Sequence, residues 1–126
     1  MPRHHLDLGA WGEKVAVKHL QGKGYRVLER NVRTSEGELD IVARQAECLV
    51  FVEVKARGSQ GFGSPEDAIT INKKRRLVRA AWTFLQEHGL EDSPWRIDVV
   101  AIEGSEAQGV KRLDHYEFAV GSETEL

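Results

Sequence analysis

The hydrophobic pattern peaks at Leu49-Val50-Phe51-Val52-Glu53-Val54-Lys55-Ala56, where β-branched and aromatic residues form the most apolar run of the chain and two opposite charges interrupt it. A run this short and apolar predicts a central strand covered on both faces. Strand side chains alternate, so Leu49, Phe51, Glu53 and Lys55 share one face, with Glu53 and Lys55 about 6 to 7 Å apart. Taking an unpaired charge out of water costs several kcal/mol, so this face is expected to line a site or a cleft.

The elements around it follow from the same periodicities. Residues 7–22 read as a helix, with Asp7 as N-cap and Gly22 and Gly24 as stop signals. Glu13 shares the inward face of that helix with Gly9, Ala10, Ala16, Val17 and Leu20. The alternative is a Glu at the edge of that face, paired with Lys18 or another basic neighbour. Residues 25–34 predict a first strand, Ser35-Glu36-Gly37 a hairpin turn, and residues 38–44 a second strand. In the second strand Leu39, Ile41 and Ala43 are expected on one face and Glu38, Asp40 and Val42 on the other. Gln45-Ala46-Glu47 turns the chain into the central run, making the two strands antiparallel and setting Asp40 across from Glu53 or Lys55.

Beyond Lys55, residues 57–63 hold three glycines around Phe62 and are placed as a mobile flap over the charged face. Ser64-Pro65-Glu66-Asp67 combines an N-cap serine, a first-turn proline and acidic residues, and so predicts a helix start. The helical pattern runs to Gly89, with an inner stripe of Leu77, Ala81, Phe84 and Leu85 flanked by Val78 and Trp82, and a break expected at Thr70-Ile71-Asn72. Lys73 falls on the inner line; Arg75, Arg76 and Arg79 fall outside it. Residues 95–103 predict a buried strand in which Asp98 pairs with Arg96 or a loop, residues 104–109 a loop, residues 110–120 an edge strand, and residues 121–126 a disordered tail. The expected fold is α/β: a central mixed sheet of about five strands in the chain order α-β-β-β-α-β-β, as one domain of residues 1–126 with its core at about 7–120.

Composition narrows the function classes. A chain of 126 residues buries enough surface to fold without a disulfide or metal staple, and its single cysteine, Cys48, leaves no partner for either. With no long apolar run and no signal-peptide pattern at Met1-Pro2-Arg3-His4-His5, a soluble, cytoplasmic protein without a membrane partner is expected. A net charge of −2 argues against coating nucleic acid through the overall field, so such binding has to come from a local patch. Lys73, Lys74, Arg75, Arg76 and Arg79 form the densest basic cluster, either a solvated helix face or a docking surface. The histidines lack zinc-motif spacing and no Gly-x-Ser-x-Gly elbow exists.

Two carboxylates held together repel, and a divalent cation removes the conflict. Asp40 and Glu53 suit Mg²⁺, which takes hard oxygen ligands and keeps several waters; the carbonyl of Val54 is the natural third protein ligand. Lys55 on the same face is suited to hold the attacking water and to stabilise charge on a phosphate, which points to phosphodiester hydrolysis.

Glu13 on a helix, Gly37-Glu38-Leu39-Asp40, Phe51-Val52-Glu53-Val54-Lys55, a Gly-rich loop and Lys73 on a helix occur in an order that resembles the restriction-endonuclease-like (PD-(D/E)xK) nucleases. With Asn31, Phe62-Gly63 and Arg96-x-Asp98-Val99-Val100 the set more closely resembles the bacterial YraN-like family, grouped by fold with archaeal Holliday-junction resolvases. The likeness runs from about Leu8 to Ile102, with Glu-Leu-Asp in place of Pro-Asp. It implies that Asp40 and Glu53 are metal carboxylates, Lys55 is the catalytic lysine, and Glu13 is a helix acid contacting a water on the metal or a second ion. It also implies Mg²⁺ with Mn²⁺ able to substitute, and a DNA substrate, branched or otherwise structured. Lys73, Lys74, Arg75, Arg76 and Arg57 are the candidate nucleic-acid contacts. The resolvase analogy adds a homodimer, with Trp82, Trp95 and the edge strand as candidate contacts. The alternative is a nucleic-acid or protein-binding module that keeps the fold without turnover; a third reading makes Glu53 and Lys55 a purely structural ion pair.

Overall fold

The computed structural model describes residues 7–58 and 70–121, the last four of these through their backbone alone. The expected flap, its Phe62-Gly63 pair, the Ser64-Pro65 helix start and the end after Gly121 lie outside the described residues. Seven elements follow one another: α1 (Leu8–Gly22), β1 (Arg26–Thr34), β2 (Gly37–Gln45), β3 (Cys48–Arg57), α2 (Ile71–Glu87), β4 (Trp95–Ser105) and β5 (Gly109–Gly121). The strands form one mixed sheet in the order β1-β2-β3-β4-β5. Only the β3–β4 pair is parallel, because α2 lies in the connection between them and returns the chain to the starting end. The expected α/β architecture and element order are therefore those of the protein.

Local chemistry accounts for the helix ends. Asp7 caps α1, its carboxylate accepting from the Ala10 N–H at 2.7 Å. The break expected at Thr70-Ile71-Asn72 is the start of α2, where Thr70 is the N-cap and its hydroxyl accepts from the Lys73 N–H at 3.2 Å. Other limits move by a few residues: Arg57 and Gly104 continue strands instead of opening loops, Tyr25 precedes β1, and Gly121 pairs with Arg96.

Each face of the sheet carries its own core. Leu39, Val42, Leu49, Phe51 and Ile97 pack with Leu77, Val78, Ala80, Ala81, Phe84 and Leu85 of α2. Ile41, Ala43, Val50, Val52, Val100 and Ile102 pack with Trp11, Ala16 and Leu20 of α1. β3 alternates as expected between the two. β2 does not: Leu39 belongs to the α2 side and Ile41 to the α1 side, whereas strict alternation puts them together. The irregularity sits at Asp40, whose neighbour across the β1–β2 ladder is Asn31 in the left-handed conformation at φ 54°, a geometry Asn tolerates better than most residues. On α2, Trp82 is exposed and Ala80 takes the buried position.

α1 approaches β3 most closely at Gly12, where a Cβ would stand 2.6 Å from the Cβ of Ala56. Any side chain there forces the helix off the sheet. Gly12→Val is expected to lower the unfolding free energy by roughly 1 to 3 kcal/mol, read as a reduced urea midpoint with an unchanged slope; an unchanged midpoint would contradict this packing.

Candidate active site

The β2–β3 ladder runs from Gln45↔Cys48 to Ile41↔Val52 and stops there, while β3 stays paired with β4 as far as Arg57. Past Val52, then, one edge of β3 faces a cleft. Val54 has lost its backbone partner on that edge, and its N–H donates instead to Oδ2 of Asp40 at 2.9 Å. A strand residue directs its N–H and C=O to the same side, so the Val54 carbonyl faces the same cleft.

Alternation puts Glu53 and Lys55 on the α2 side of β3, continuing the line of Leu49 and Phe51. The Glu53 side chain is only 5% exposed, and two ammonium groups meet its Oε2: Lys73 from α2 at 3.2 Å and Lys55 at 3.8 Å. Asp40 lies beside this group. Burial first, and then the neighbouring Glu53 charge, push its carboxyl up to about 7, against the opposing pull of the Val54 N–H and Lys73. A cavity of about 330 Å³ is lined by Gly37, Glu38, Asp40, Glu53, Val54, Lys55, Lys73, Arg76 and Leu77. The structure thus brings Asp40, Glu53, Val54, Lys55 and Lys73 together. Lys74 and Arg75 lie on α2 outside that lining. Arg76, expected to face away, reaches over the hairpin, its Cγ 3.4 Å from where a Gly37 Cβ would stand. Arg57, at the end of β3, aligns with Glu103 of β4 and does not line the cavity.

Glu13 stands on the other side of Asp40. A second cavity, of about 390 Å³, opens on the α1 side and shares Glu38, Asp40 and Val54 with the first; Asp7, Gly9, Ala10, Glu13, Arg30 and Asn31 complete it. Glu13 is inward-facing as expected, and its partners are two consecutive residues of β1. Arg30 Nε donates to Oε1 at 2.9 Å and Asn31 Nδ2 to the same oxygen at 3.0 Å. Neighbouring strand residues ordinarily point to opposite faces. Here the left-handed backbone at Asn31 lets both reach one carboxylate. Arg30 had no signal in the sequence; Asn31 stood there only as part of a family pattern. Among the described residues no three His, Cys, Asp or Glu side chains gather closely enough to hold a metal ion by themselves.

A second polar group, buried on the α1 side, also escaped the periodicity. Asp98 is fully buried and accepts from Arg96 Nε at 2.9 Å and from the Tyr25 hydroxyl at 3.1 Å, and its Oδ2 lies 2.8 Å from His115 Nε2. His115 Nδ1 in turn meets His19 Nε2 at 3.0 Å. The expected Arg96–Asp98 pairing is present. Burial, then the Asp98 charge, raise the Tyr25 hydroxyl to about 12. Burial works against the Arg96 charge, but the bond and charge of Asp98 more than offset it and raise its pKa. This network ties α1, the Tyr25 entry to β1, β4 and β5 together as a structural brace. Asp98→Ala takes the buried carboxylate away from Arg96, which keeps Glu117 at 3.6 Å and Gln45 at 2.6 Å, and is expected to cost roughly 3 kcal/mol in denaturant unfolding.

The raised Asp40 pKa sets a pH dependence. Between its ordinary value of 3.8 and about 7 the folded protein binds the proton more tightly than the unfolded chain does. Stability is thus highest below the ordinary value and falls as pH rises through about 7. In EDTA the melting temperature should fall across that window, and Asp40→Asn should flatten the fall; an equal slope in both proteins would refute the assignment.

Comparison with known proteins places these residues in a family. The model of the Uncharacterised protein family UPF0102, which is the YraN-like group, matches residues 12–102, a span that includes Glu13, Asn31, Asp40, Glu53, Lys55, Lys73 and Asp98. A UPF0102 protein of Dehalococcoides mccartyi is 38% identical over 123 residues, covering 98% of this chain and 100% of the relative. One from Beutenbergia cavernae is 49% identical over 108 residues, 86% of this chain and 91% of the relative. One from Roseiflexus castenholzii is 47% identical over 122 residues, 95% and 98% of the two chains. No described helix is long and apolar enough to cross a membrane.

Proposed function

The chain belongs to the UPF0102 family, and on that footing we propose that it is a Mg²⁺-dependent endonuclease that hydrolyses phosphodiester bonds of DNA, branched or otherwise structured, on a restriction-endonuclease-like fold. The observation that carries this reading is the meeting of Asp40 and Glu53 in one cleft with Lys55 and Lys73. A buried carboxylate, Glu53, beside a half-buried one, Asp40, is a donor set of hard oxygens whose mutual repulsion a divalent cation relieves. A cation that keeps several of its waters needs no third side chain, which accords with the absence of a three-residue cluster among the described residues. The donor set therefore fits magnesium, or manganese in its place, with Asp40, Glu53 and the carbonyl of Val54 as its ligands.

When bound, the cation supplies Lewis acidity towards a phosphoryl oxygen and lowers the pKa of water. The residues of the chain do the rest. Asp40 and Glu53, fixed on neighbouring strands, set where the reacting phosphate sits. Lys55, two residues along from Glu53, orients the attacking water and offsets the charge that builds on the phosphate. Glu13, held by Arg30 and Asn31, adds a carboxylate on the far side of Asp40, from where it acts on a water or a second ion. Arg76 on the cleft lining and Lys74 and Arg75 outside it extend a basic path along α2, and make no ion pair among the described residues. That path suits the nucleic-acid backbone, whose binding then weakens with salt.

The test is cleavage of linear duplex, single-stranded and four-way-junction DNA with Mg²⁺ or Mn²⁺. Wild type should cut at least one of them, and Asp40→Asn or Lys55→Ala should slow the cut by roughly a hundredfold or more while leaving DNA bound. Wild type that binds every substrate and cuts none, with binding indifferent to both substitutions, would replace the nuclease with a docking module on the same fold.

A further inference from the structure

The two lysines that meet Glu53 are held differently. Lys55 is on the same strand as Glu53, two residues away, so its ammonium has little freedom to leave that face. Lys73 comes from the first turn of α2, across the cleft, yet it approaches Oε2 more closely, at 3.2 Å against 3.8 Å. It also acts on Asp40 through its charge. Its side chain is 30% exposed. Its neighbours Lys74, Arg75 and Arg76 have no ion-pair partner among the described residues.

The charges in the cleft do not leave room for everything at once. Three carboxylates, Glu38, Asp40 and Glu53, line the cleft with three cations, Lys55, Lys73 and Arg76, so the ionised cleft is neutral. A divalent cation on the same oxygens brings two further positive charges into a space of about 330 Å³. Like charges this close repel by several kcal/mol even at the effective dielectric of a protein surface. That repulsion favours the departure of one ammonium.

We infer that Lys73 is the built-in counter-cation of the site: its ammonium occupies Glu53 while no divalent cation is bound, and gives Glu53 up to the cation, becoming free for a substrate phosphate. The inference rests on the metal-dependent reading of the same cleft. It gives Lys73 two alternating partners, a carboxylate of its own chain and a phosphate of the substrate, and makes cation and nucleic acid favour each other's binding. It also gives a carboxylate that is 5% exposed an ion-pair partner on a flexible stem.

Direct Mn²⁺ titration followed by electron paramagnetic resonance, with the full chain and no nucleic acid, separates the possibilities. Lys73→Met and Lys73→Gln should each bind Mn²⁺ roughly tenfold or more tightly than wild type, because a competing charge has gone. Lys73→Arg, which keeps the charge, should stay near wild type. So should Lys111→Met, which removes one positive charge from exposed β5 and controls for net charge. Thermal unfolding in EDTA should show that Lys73→Met folds cooperatively but melts lower than wild type. If wild type binds Mn²⁺ and both neutral variants bind it no more tightly, Lys73 is a fixed structural partner and the inference is overturned while the metal-dependent reading stands. If neither wild type nor the Lys73 variants bind Mn²⁺ at millimolar concentration, both are overturned.

Discussion

A carboxylate buried in the middle of a sheet is the constraint on which this molecule turns. Glu53 lies in the most apolar strand with its side chain only 5% exposed, and two ammonium groups are brought to it. Lys55 comes along the same strand, and Lys73 requires α2 to cross the sheet at one height. The crossover that makes β3 and β4 parallel is therefore also the device that supplies Lys73. A helix packed a turn higher would leave Glu53 with one cation and a solvent gap.

The second constraint is the early end of the β2–β3 ladder. If pairing continued past Ile41↔Val52, Val54 would bond to a backbone group and Asp40 would be one more strand residue. Instead the Asp40 carboxylate takes the Val54 N–H, and two cavities open on either side of it. The left-handed Asn31 lies directly across β2 from Asp40, so one local distortion separates Leu39 from Ile41, turns Arg30 and Asn31 together, and fixes Glu13. Strain of this kind persists where surrounding contacts over-determine it. Here the contacts are the Glu13 carboxylate and the β1–β2 pairs that flank Asn31, Arg30↔Ile41 and Val32↔Leu39.

Elsewhere the structure is conservative, as its task of holding the cleft requires. Two separate hydrophobic cores clamp the sheet, and the Tyr25–Arg96–Asp98–His115 group pins the far end of α1 to β4 and β5. With both ends of α1 fixed, by the Asp7 cap and by that network, Glu13 in its middle cannot drift from Asp40. Rigidity is what a site built on strands and helices offers over one built on loops.

The order of elements, the α/β class, the antiparallel β2–β3 pair, the Asp7 cap and the common face of Glu53 and Lys55 were all determined by the sequence itself. Alternation, helical period and capping are properties of a few adjacent residues and survive without knowledge of the rest of the chain. The same logic put Asp40 within reach of Glu53, because a turn this short leaves antiparallel strands little choice of register. What only the tertiary structure decided lies at larger separations. Arg30 and Asn31 reach Glu13 across 17 and 18 residues, and His19 meets His115 across 96. No local period encodes such pairs. The partition of Leu39 and Ile41 between opposite cores depended on a backbone twist imposed from β1, and the closeness of Lys73 to Glu53 on how α2 seats on the sheet. The sequence could supply the charges; which carboxylate each lysine neutralises was settled by packing.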